Sequence, residues 1–153
     1  MRTSLVVAFV VALGMPVQVA DAPGMGTWKL NAEKSTFSPG PAPKSIVTKF
    51  APAGDGVKWS AERVAPDGKS SVATYDAKYD GKDYPLTGSP NADAIVLRRI
   101  DAHTSERQNK KGGKVVSTER REVARDGRSY VTTVTGTTAD GKPVNHRMVF
   151  DKQ

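Results

Sequence analysis

The most regular feature of the chain is an alternation of apolar and polar side chains. Three segments show it best: VKWSAERV (57–64), SSVATYDAKYD (70–80) and PVNHRMVF (143–150). Successive side chains of a β-strand point to opposite faces, so each segment presents one apolar face and one polar face. The pattern predicts antiparallel strands that bury one face. The apolar faces carry Val57, Trp59, Ala61, Ala73, Tyr75, Ala77, Tyr79, Val144, Met148 and Phe150, with His146 among them.

Glycine-containing turns separate these segments. They are GDG (54–56), PDGK (66–69), YDGK (79–82), KGGK (111–114), RDGR (125–128) and ADGK (139–142). Asp-Gly and Gly-Gly suit tight hairpins because both central residues adopt positive φ, which Gly, Asn and Asp tolerate. Most of these turns leave strands of about eight to ten residues between them, a spacing that predicts an antiparallel meander.

Two segments lack the alternation and are predicted to be loops. NAEKSTFSPGPAPKS (31–45) contains three prolines, so we expect it to cross as an extended loop between the first and second strands. LTGSPNADA (86–94) is the second predicted loop. No segment has a sustained helical period. The chain is therefore predicted to be all-β, an antiparallel up-and-down β-barrel of eight to ten strands, because closure removes the edges of a long meander. A sandwich of two sheets stays an alternative.

The first 22 residues differ from the rest. Arg2 provides a basic start, a small and apolar run extends from Leu5 to Met15, and Ala20 and Ala22 provide a small-x-small cleavage site. These features predict a secretory signal peptide, and the run is shorter than the ~20 residues of a transmembrane helix. We expect cleavage after Ala22, a single domain over residues 23–153, and a periplasmic or secreted location. The sequence has no cysteine, so this domain would hold without disulfides.

The charge of the chain bears on its partners. The formal net charge is +7, which favours contact with anionic surfaces such as those of the cell envelope. Basic and acidic residues are interleaved along most of the chain, as on ordinary solvated strands. Because there is no basic helix and no base-reading motif, we expect no nucleic-acid partner.

The two ends of the chain carry a family resemblance. GTWKL (26–30), an up-and-down set of hairpins and a final strand containing RMVFDK (147–152) resemble the calycin superfamily of lipocalins, fatty-acid-binding proteins and their bacterial relatives. The resemblance implies a lipocalin-like barrel in which Trp28 plugs the closed end, Gly26 permits close strand approach and Arg147 lies across the indole. These residues would be structural, since burial of an indole and a guanidinium stacked on it both stabilise a fold.

The chain also departs from that family. Fatty-acid-binding proteins place two short helices between their first two strands, where this chain has its proline-rich segment. Alignment of the last strand puts Met148 and Phe150 where an Arg and a Tyr of the family would hold a fatty-acid carboxylate, so fatty-acid binding does not simply transfer. TWKLNAEKSTFS (27–38) also resembles the start of the YceI-like periplasmic proteins, whose barrels hold long isoprenoid lipids.

Residue types that support catalysis or metal binding are sparse. With no cysteine and only His103 and His146, the sequence has no His-rich metal cluster, and no serine lies in a Gly-x-Ser-x-Gly motif. The Asp-Gly turns lack the alternating Asp pattern of an EF-hand loop. We therefore assign no catalytic residue, no metal and no cofactor, and we expect that the protein is not an enzyme.

The apolar faces supply a candidate binding cavity. Small alanines between tyrosines would leave space for a ligand, but the same side chains would fill the barrel if they packed against one another. The sequence leaves both alternatives open. The candidate cavity residues are Trp59, Tyr75, Tyr79, Met148, Phe150 and His146.

Two pairs of arginines raise a second open question. Neighbouring residues of a strand point to opposite faces, so one arginine of LRRID (97–101) and one of ERREV (119–123) would face the interior. A buried arginine needs a partner, either an internal Glu or an anionic group of a ligand. The alternative is that Arg98, Arg99, Arg120 and Arg121 are all solvated charges.

These features predict an exported, non-enzymatic protein that binds a small lipophilic or amphipathic molecule inside a barrel. The alternative is a structural or interaction domain of the cell envelope, with a filled barrel and no ligand.

Overall fold

The chain folds into β-strands joined by turns and loops. The computed structural model describes residues 22–153, so the predicted signal peptide lies, apart from Ala22, outside the described residues. The ten strands are β1 (Gly26–Ser38), β2 (Ser45–Ala53), β3 (Gly56–Val64), β4 (Ser70–Lys78), β5 (Asp83–Pro85), β6 (Ala94–Arg99), β7 (Thr104–Lys111), β8 (Lys114–Val123), β9 (Ser129–Thr137) and β10 (Pro143–Lys152). In this described part, no helix is long and apolar enough to cross a membrane.

All ten strands belong to one antiparallel sheet, with the order β4-β3-β2-β1-β10-β9-β8-β7-β6-β5. Every neighbour in this order is also a neighbour along the chain, except for β1 and β10, which pair at the two ends of the sequence. The outer strands β4 and β5 come together where Thr74 and Thr87 exchange two backbone hydrogen bonds of 2.9 and 3.0 Å. The sheet therefore forms a nearly closed barrel, and the predicted all-β, up-and-down architecture is confirmed.

The turns lie where the glycine pattern predicts them, but aspartate has a different part in them. Every described residue with positive φ is a glycine. In the PDGK turn, only Gly68 has positive φ, at 88°, while the Asp67 carboxylate accepts a hydrogen bond from the Lys69 N–H. Asp126 does the same for the Arg128 N–H. Glycine thus adopts the positive φ that the turn requires, and aspartate stabilises the turn by accepting a hydrogen bond from a backbone N–H.

The predicted loop over residues 31–45 is wrong for residues 31–38, because β1 continues to Ser38. The ladder with β10 shifts between Asn31 and Thr36, which pair with Val149 and Arg147 respectively. Inside this irregularity, the Ser35 hydroxyl donates to the Asn31 carbonyl and accepts from the Val149 N–H. A bulge of this kind uncouples the strand from a strict period of two, which hides it from pattern analysis.

The inward faces agree with the predicted alternation. Buried apolar side chains of β1, β2, β3, β4, β6, β8, β9 and β10 form one hydrophobic cluster, including Trp28, Phe50, Tyr130 and Phe150. This cluster lies at the barrel end where β1 begins and β10 ends, because Gly26 pairs with Phe50 and Trp28 with Lys152. The loops after β1, β3, β5, β7 and β9 lie at the other end.

A candidate ligand cavity

The barrel encloses a cavity of about 820 Å³. Its volume falls in the range of about 300 to 1,000 Å³ that is typical of small-molecule sites. The barrel therefore contains space that its side chains leave unfilled, which argues against the filled-barrel alternative. All six predicted cavity residues line this space: Trp59, Tyr75, Tyr79, Met148, Phe150 and His146. Their role in ligand binding stays a prediction.

We call the closed end of the cavity the floor, made by Trp28, Phe50, Tyr130, Phe150 and Gly24. Trp28 is fully buried, with its ring 5.0 Å from that of Tyr130 in an edge-on arrangement, and Tyr130 stacks on Phe150 at 4.6 Å. The Trp28 indole N–H donates to the Gly24 carbonyl at 3.2 Å. The indole thus has its polar atom satisfied and its rings packed, as the predicted plug role requires.

The predicted partner of that plug is wrong. Arg147 is exposed, and its guanidinium donates to the Lys34 carbonyl on the outside of the barrel. The cations over the Trp28 ring are instead Lys152 at 5.3 Å and Arg121 at 5.8 Å. The reason is the alternation itself: His146, Met148 and Phe150 occupy the inward face of β10, so Arg147 between them points outward.

Gly26 does not have its predicted role of permitting close strand approach. Its φ is +113°, a conformation that favours glycine, but a methyl group added there would meet only the flexible end of Lys152 at 3.3 Å. The crowded glycine at the floor is Gly24 instead, where an added methyl would lie 2.6 Å from the Arg121 guanidinium and 2.9 Å from the Val123 side chain. Gly26 is thus required for its backbone conformation and Gly24 for both conformation and space.

Arg121 is the charged group of the floor. Its guanidinium lies 3.7 Å from the centre of the Phe50 ring and 4.3 Å from that of Tyr130, and Nη2 donates to the Gly24 carbonyl at 2.7 Å. No carboxylate oxygen of residues 22–153 lies within 4.0 Å of it. Nε is buried without a hydrogen-bond partner. Burial lowers the pKa of Arg121, but arginine keeps its charge in proteins, so the cavity contains a cation without a counter-ion.

A second arginine in the cavity has a partner. Arg107 on β7 donates from Nη2 to Oε1 of Glu119 on β8 at 2.5 Å, and both side chains are less than a fifth exposed. Glu119 Oε1 also accepts from the Asn109 amide at 2.9 Å. Burial is the largest influence and opposes the charged form of Arg107, but Glu119 and Tyr75 together outweigh it and raise the pKa of Arg107.

Aromatic rings of β3 and β4 form the wall beside this ion pair. Trp59 and Tyr75 stack with ring centres 4.8 Å apart, and the Arg107 guanidinium lies 4.5 Å from the Trp59 ring and 5.5 Å from the Tyr75 ring. Burial raises the pKa of Tyr75 to about 12, so its hydroxyl stays protonated and able to donate at neutral pH. This wall offers flat apolar surface with few polar atoms.

We call the open end of the cavity the mouth, formed by the loops over residues 39–44 and 86–93 and by the turns after β3, β7 and β9. His146 lies there, half-buried, with its ring 5.3 Å from that of Phe37, and its Nδ1 accepts a hydrogen bond from the Ser38 N–H. Burial and the nearby charge of Arg63 lower the pKa of His146. Because Nδ1 is an acceptor, this arrangement fits the neutral imidazole.

The question about the two arginine pairs now has an answer. Arg121 faces the cavity, while Arg120 is exposed and pairs with Glu122 on the outside. Arg99 is exposed but lies 4.2 Å over the Tyr79 ring, and Arg98 is exposed. No sequence pattern predicted Arg107, Asn109 or Glu119 as cavity residues. Their strands, TSERQNKK and KVVSTERREV, have polar residues on both faces, so hydrophobic alternation gives no signal there.

Within the described chain, no group of three or more His, Asp or Glu side chains has an arrangement that could hold a metal ion.

The comparisons with known proteins concern the fold. No protein-family model matches the chain, and no curated protein matches it. The chain is similar to zebrafish ileal bile acid-binding protein, solved in complex with cholic acid, with 15% identity and a TM-score of 0.49 over 84% of this chain and 98% of that one. It is also similar to the siderocalin Ex-FABP, with 13% identity and a TM-score of 0.38 over 84% of this chain and 73% of that one.

The class that the architecture defines is a calycin-like β-barrel: an up-and-down antiparallel sheet with a tryptophan of its first strand at the closed end. The resemblance is therefore confirmed for the fold. The weaker resemblance to YceI-like proteins stays a prediction.

Proposed function

We propose that the protein is an exported, non-enzymatic carrier of a small amphipathic molecule with an apolar body and an anionic head group. The observation that carries this proposal is Arg121, a cation inside the cavity without a carboxylate partner among the described residues. A charge without a counter-ion in a partly desolvated site costs free energy, and an anionic ligand would remove that cost on binding.

The rest of the cavity suits the apolar body of such a ligand. From the floor, Phe150 and Met148 continue along β10 towards the mouth. The stacked rings of Trp59 and Tyr75 add apolar surface elsewhere on the lining. The loss of the family's anchor from the last strand is thus compensated on another strand, because β8 supplies the cation. Export rests on the sequence of residues 1–22 alone.

The first experiment compares tetradecanoate with tetradecanol, which share a chain length and differ in head-group charge. We expect displacement titrations with a hydrophobic fluorophore to show that the carboxylate binds at least ~10-fold more tightly, which corresponds to about 1.4 kcal/mol. Arg121→Met should abolish this preference and keep the fold, since replacing a buried charge by an apolar side chain of similar volume is often tolerated.

Arg147→Met is the matched control, since it removes the same charge from the outside of the barrel and should leave the preference intact. Equal affinities for acid and alcohol in the unmodified protein, or the same preference in Arg121→Met, would contradict the anionic head group. Absence of saturable uptake of either compound would contradict the carrier function itself.

The native ligand is best identified by native mass spectrometry on protein isolated from its own compartment. We expect an additional mass that disappears on denaturation and ionises as an anion. A second protein carried through the same purification controls for lipids that adhere without a cavity.

A further inference from the structure

Three charged side chains line the cavity at the floor and beside the aromatic wall. These are Arg121, Arg107 and Glu119, whereas the other charged residues that line the space, Arg63 and Lys111, are exposed at the mouth. Arg107 and Glu119 neutralise each other through their 2.5 Å contact. The net charge deep in the cavity is therefore that of Arg121 alone.

The register of β7 and β8 places the second cation close to the first. Ser105 pairs with Arg121 and Arg107 pairs with Glu119, so the two arginines are diagonal neighbours on the inward face. Diagonal neighbours of an antiparallel pair are about 7 to 8 Å apart, within reach of long side chains. A head group with two negative charges at Arg121 would therefore lie close enough to interact with Arg107 as well, were Arg107 free.

Glu119 prevents that interaction. Its carboxylate is held by Arg107 and by the Asn109 amide, and Asn109 is itself buried and donates to the Ser117 hydroxyl at 2.9 Å. A fixed carboxylate beside the head-group position also repels a second negative charge at short range.

We infer that Glu119 is a specificity-determining residue that restricts the cavity to ligands with a single negative charge. This inference rests on the proposed carrier function. It deepens that function by naming the ligand class: amphipathic monoanions, such as a monocarboxylate or a sulfate ester, and not phosphate monoesters or 1,2-dicarboxylates.

The experiment uses decyl sulfate and decyl phosphate, which share a chain and a tetrahedral head group. Because the second pKa of a phosphate monoester is about 6, the sulfate carries one charge at pH 8 and the phosphate nearly two. We expect calorimetric titrations below micelle formation to show at least ~10-fold tighter binding of the sulfate by the unmodified protein. Lowering the pH to 5 converts the phosphate to a monoanion and should close most of that gap.

A dianion loses more hydration on burial than a monoanion does, whichever residues surround it. The Glu119→Gln variant therefore tests whether Glu119 causes the preference for the sulfate. The variant frees Arg107, so we expect the ratio of the two affinities to shift towards the phosphate by at least ~10-fold at pH 8. Glu122→Gln is the matched control, because it removes the same charge from the outer face of the same strand and should leave the ratio unchanged.

A double variant, Arg107→Met with Glu119→Gln, has the same net interior charge as the unmodified protein and lacks the second cation. It should not gain affinity for the phosphate relative to the sulfate, and it also serves if the single variant folds poorly. An unchanged ratio in folded Glu119→Gln overturns the role of Glu119 while leaving the carrier function standing. Failure of both probes to bind overturns the carrier function and this inference with it.

Discussion

The two ends of the barrel are built differently although the same strands connect them. At the floor, Trp28, Phe50, Tyr130 and Phe150 pack ring against ring around the Gly24 carbonyl. At the mouth, the contact between Phe37 and His146 is the one aromatic pair found in that part of the described chain, and the rest of the lining mixes small polar residues and prolines with aliphatic side chains and the cations Arg63 and Lys111. The floor therefore concentrates the apolar burial that stabilises the fold, while the mouth keeps groups that tolerate water and exchange.

The largest expected effect comes from removing the centre of the floor. Trp28→Ala deletes a fully buried indole and leaves a cavity beside Tyr130, which should lower the free energy of unfolding by about 3 to 5 kcal/mol. Phe37→Ala at the mouth removes a half-buried ring, and we expect a loss of less than about 2 kcal/mol. Chemical denaturation of both variants measures the difference. Equal losses would mean that stability is not concentrated at the floor.

A pair of glycines separates backbone strain from crowding at the two ends. Gly141→Ala, in a turn at the mouth with φ of +83° and open space around it, should cost about 1 kcal/mol through strain alone. Gly24→Ala has a similar φ of +92°, but its new methyl would also displace Arg121, so we expect a loss of about 2 to 3 kcal/mol. The difference should appear in denaturation midpoints, and Gly24→Ala should also weaken tetradecanoate binding. A Gly24→Ala protein that matches Gly141→Ala in stability would show that the floor adjusts freely.

These contrasts also show what the sequence could predict. The inward faces of β3, β4 and β10 followed from a period of two, because apolar residues mark one face there. That alternation already placed Arg147 outside, and the family resemblance was misleading where it disagreed. No sequence pattern predicted the ion pair of Arg107 and Glu119, because β7 and β8 carry polar residues on both faces and alternation identifies neither face. The bulge in β1 was hidden for a related reason, since it breaks the period that identifies a strand.

A smaller effect is expected at the polar edge of the floor. Thr48 and Tyr130 share a buried hydrogen bond of 2.7 Å between their hydroxyls. Tyr130→Phe keeps the stacked ring and leaves the Thr48 hydroxyl without its partner, so the free energy of unfolding should fall by about 1 to 2 kcal/mol. The double variant Tyr130→Phe with Thr48→Val removes both hydroxyls and should recover part of that loss. Denaturation of the single and double variants checks this, and additive losses would argue against a shared bond.

The smallest effect belongs to the mouth and depends on pH. The pKa of His146 is lowered in the folded protein, first by burial and then by Arg63, from an ordinary value of about 6.5. The unfolded chain therefore binds a proton more readily, and stability should be complete above pH 6.5 and decline as the pH falls through 6.5 towards the lowered pKa. Protonation would also break the hydrogen bond from the Ser38 N–H to Nδ1, which tethers the start of the loop over residues 39–44.

His146→Gln should make the free energy of unfolding depend less on pH between pH 8 and 5.5 than in the unmodified protein, as measured by urea denaturation at each pH. His103→Gln, which changes the histidine on the turn before β7 at the other end of the barrel, should retain the decline. An equal decline in His146→Gln would assign the pH dependence to other groups and leave the mouth without a titrating contact.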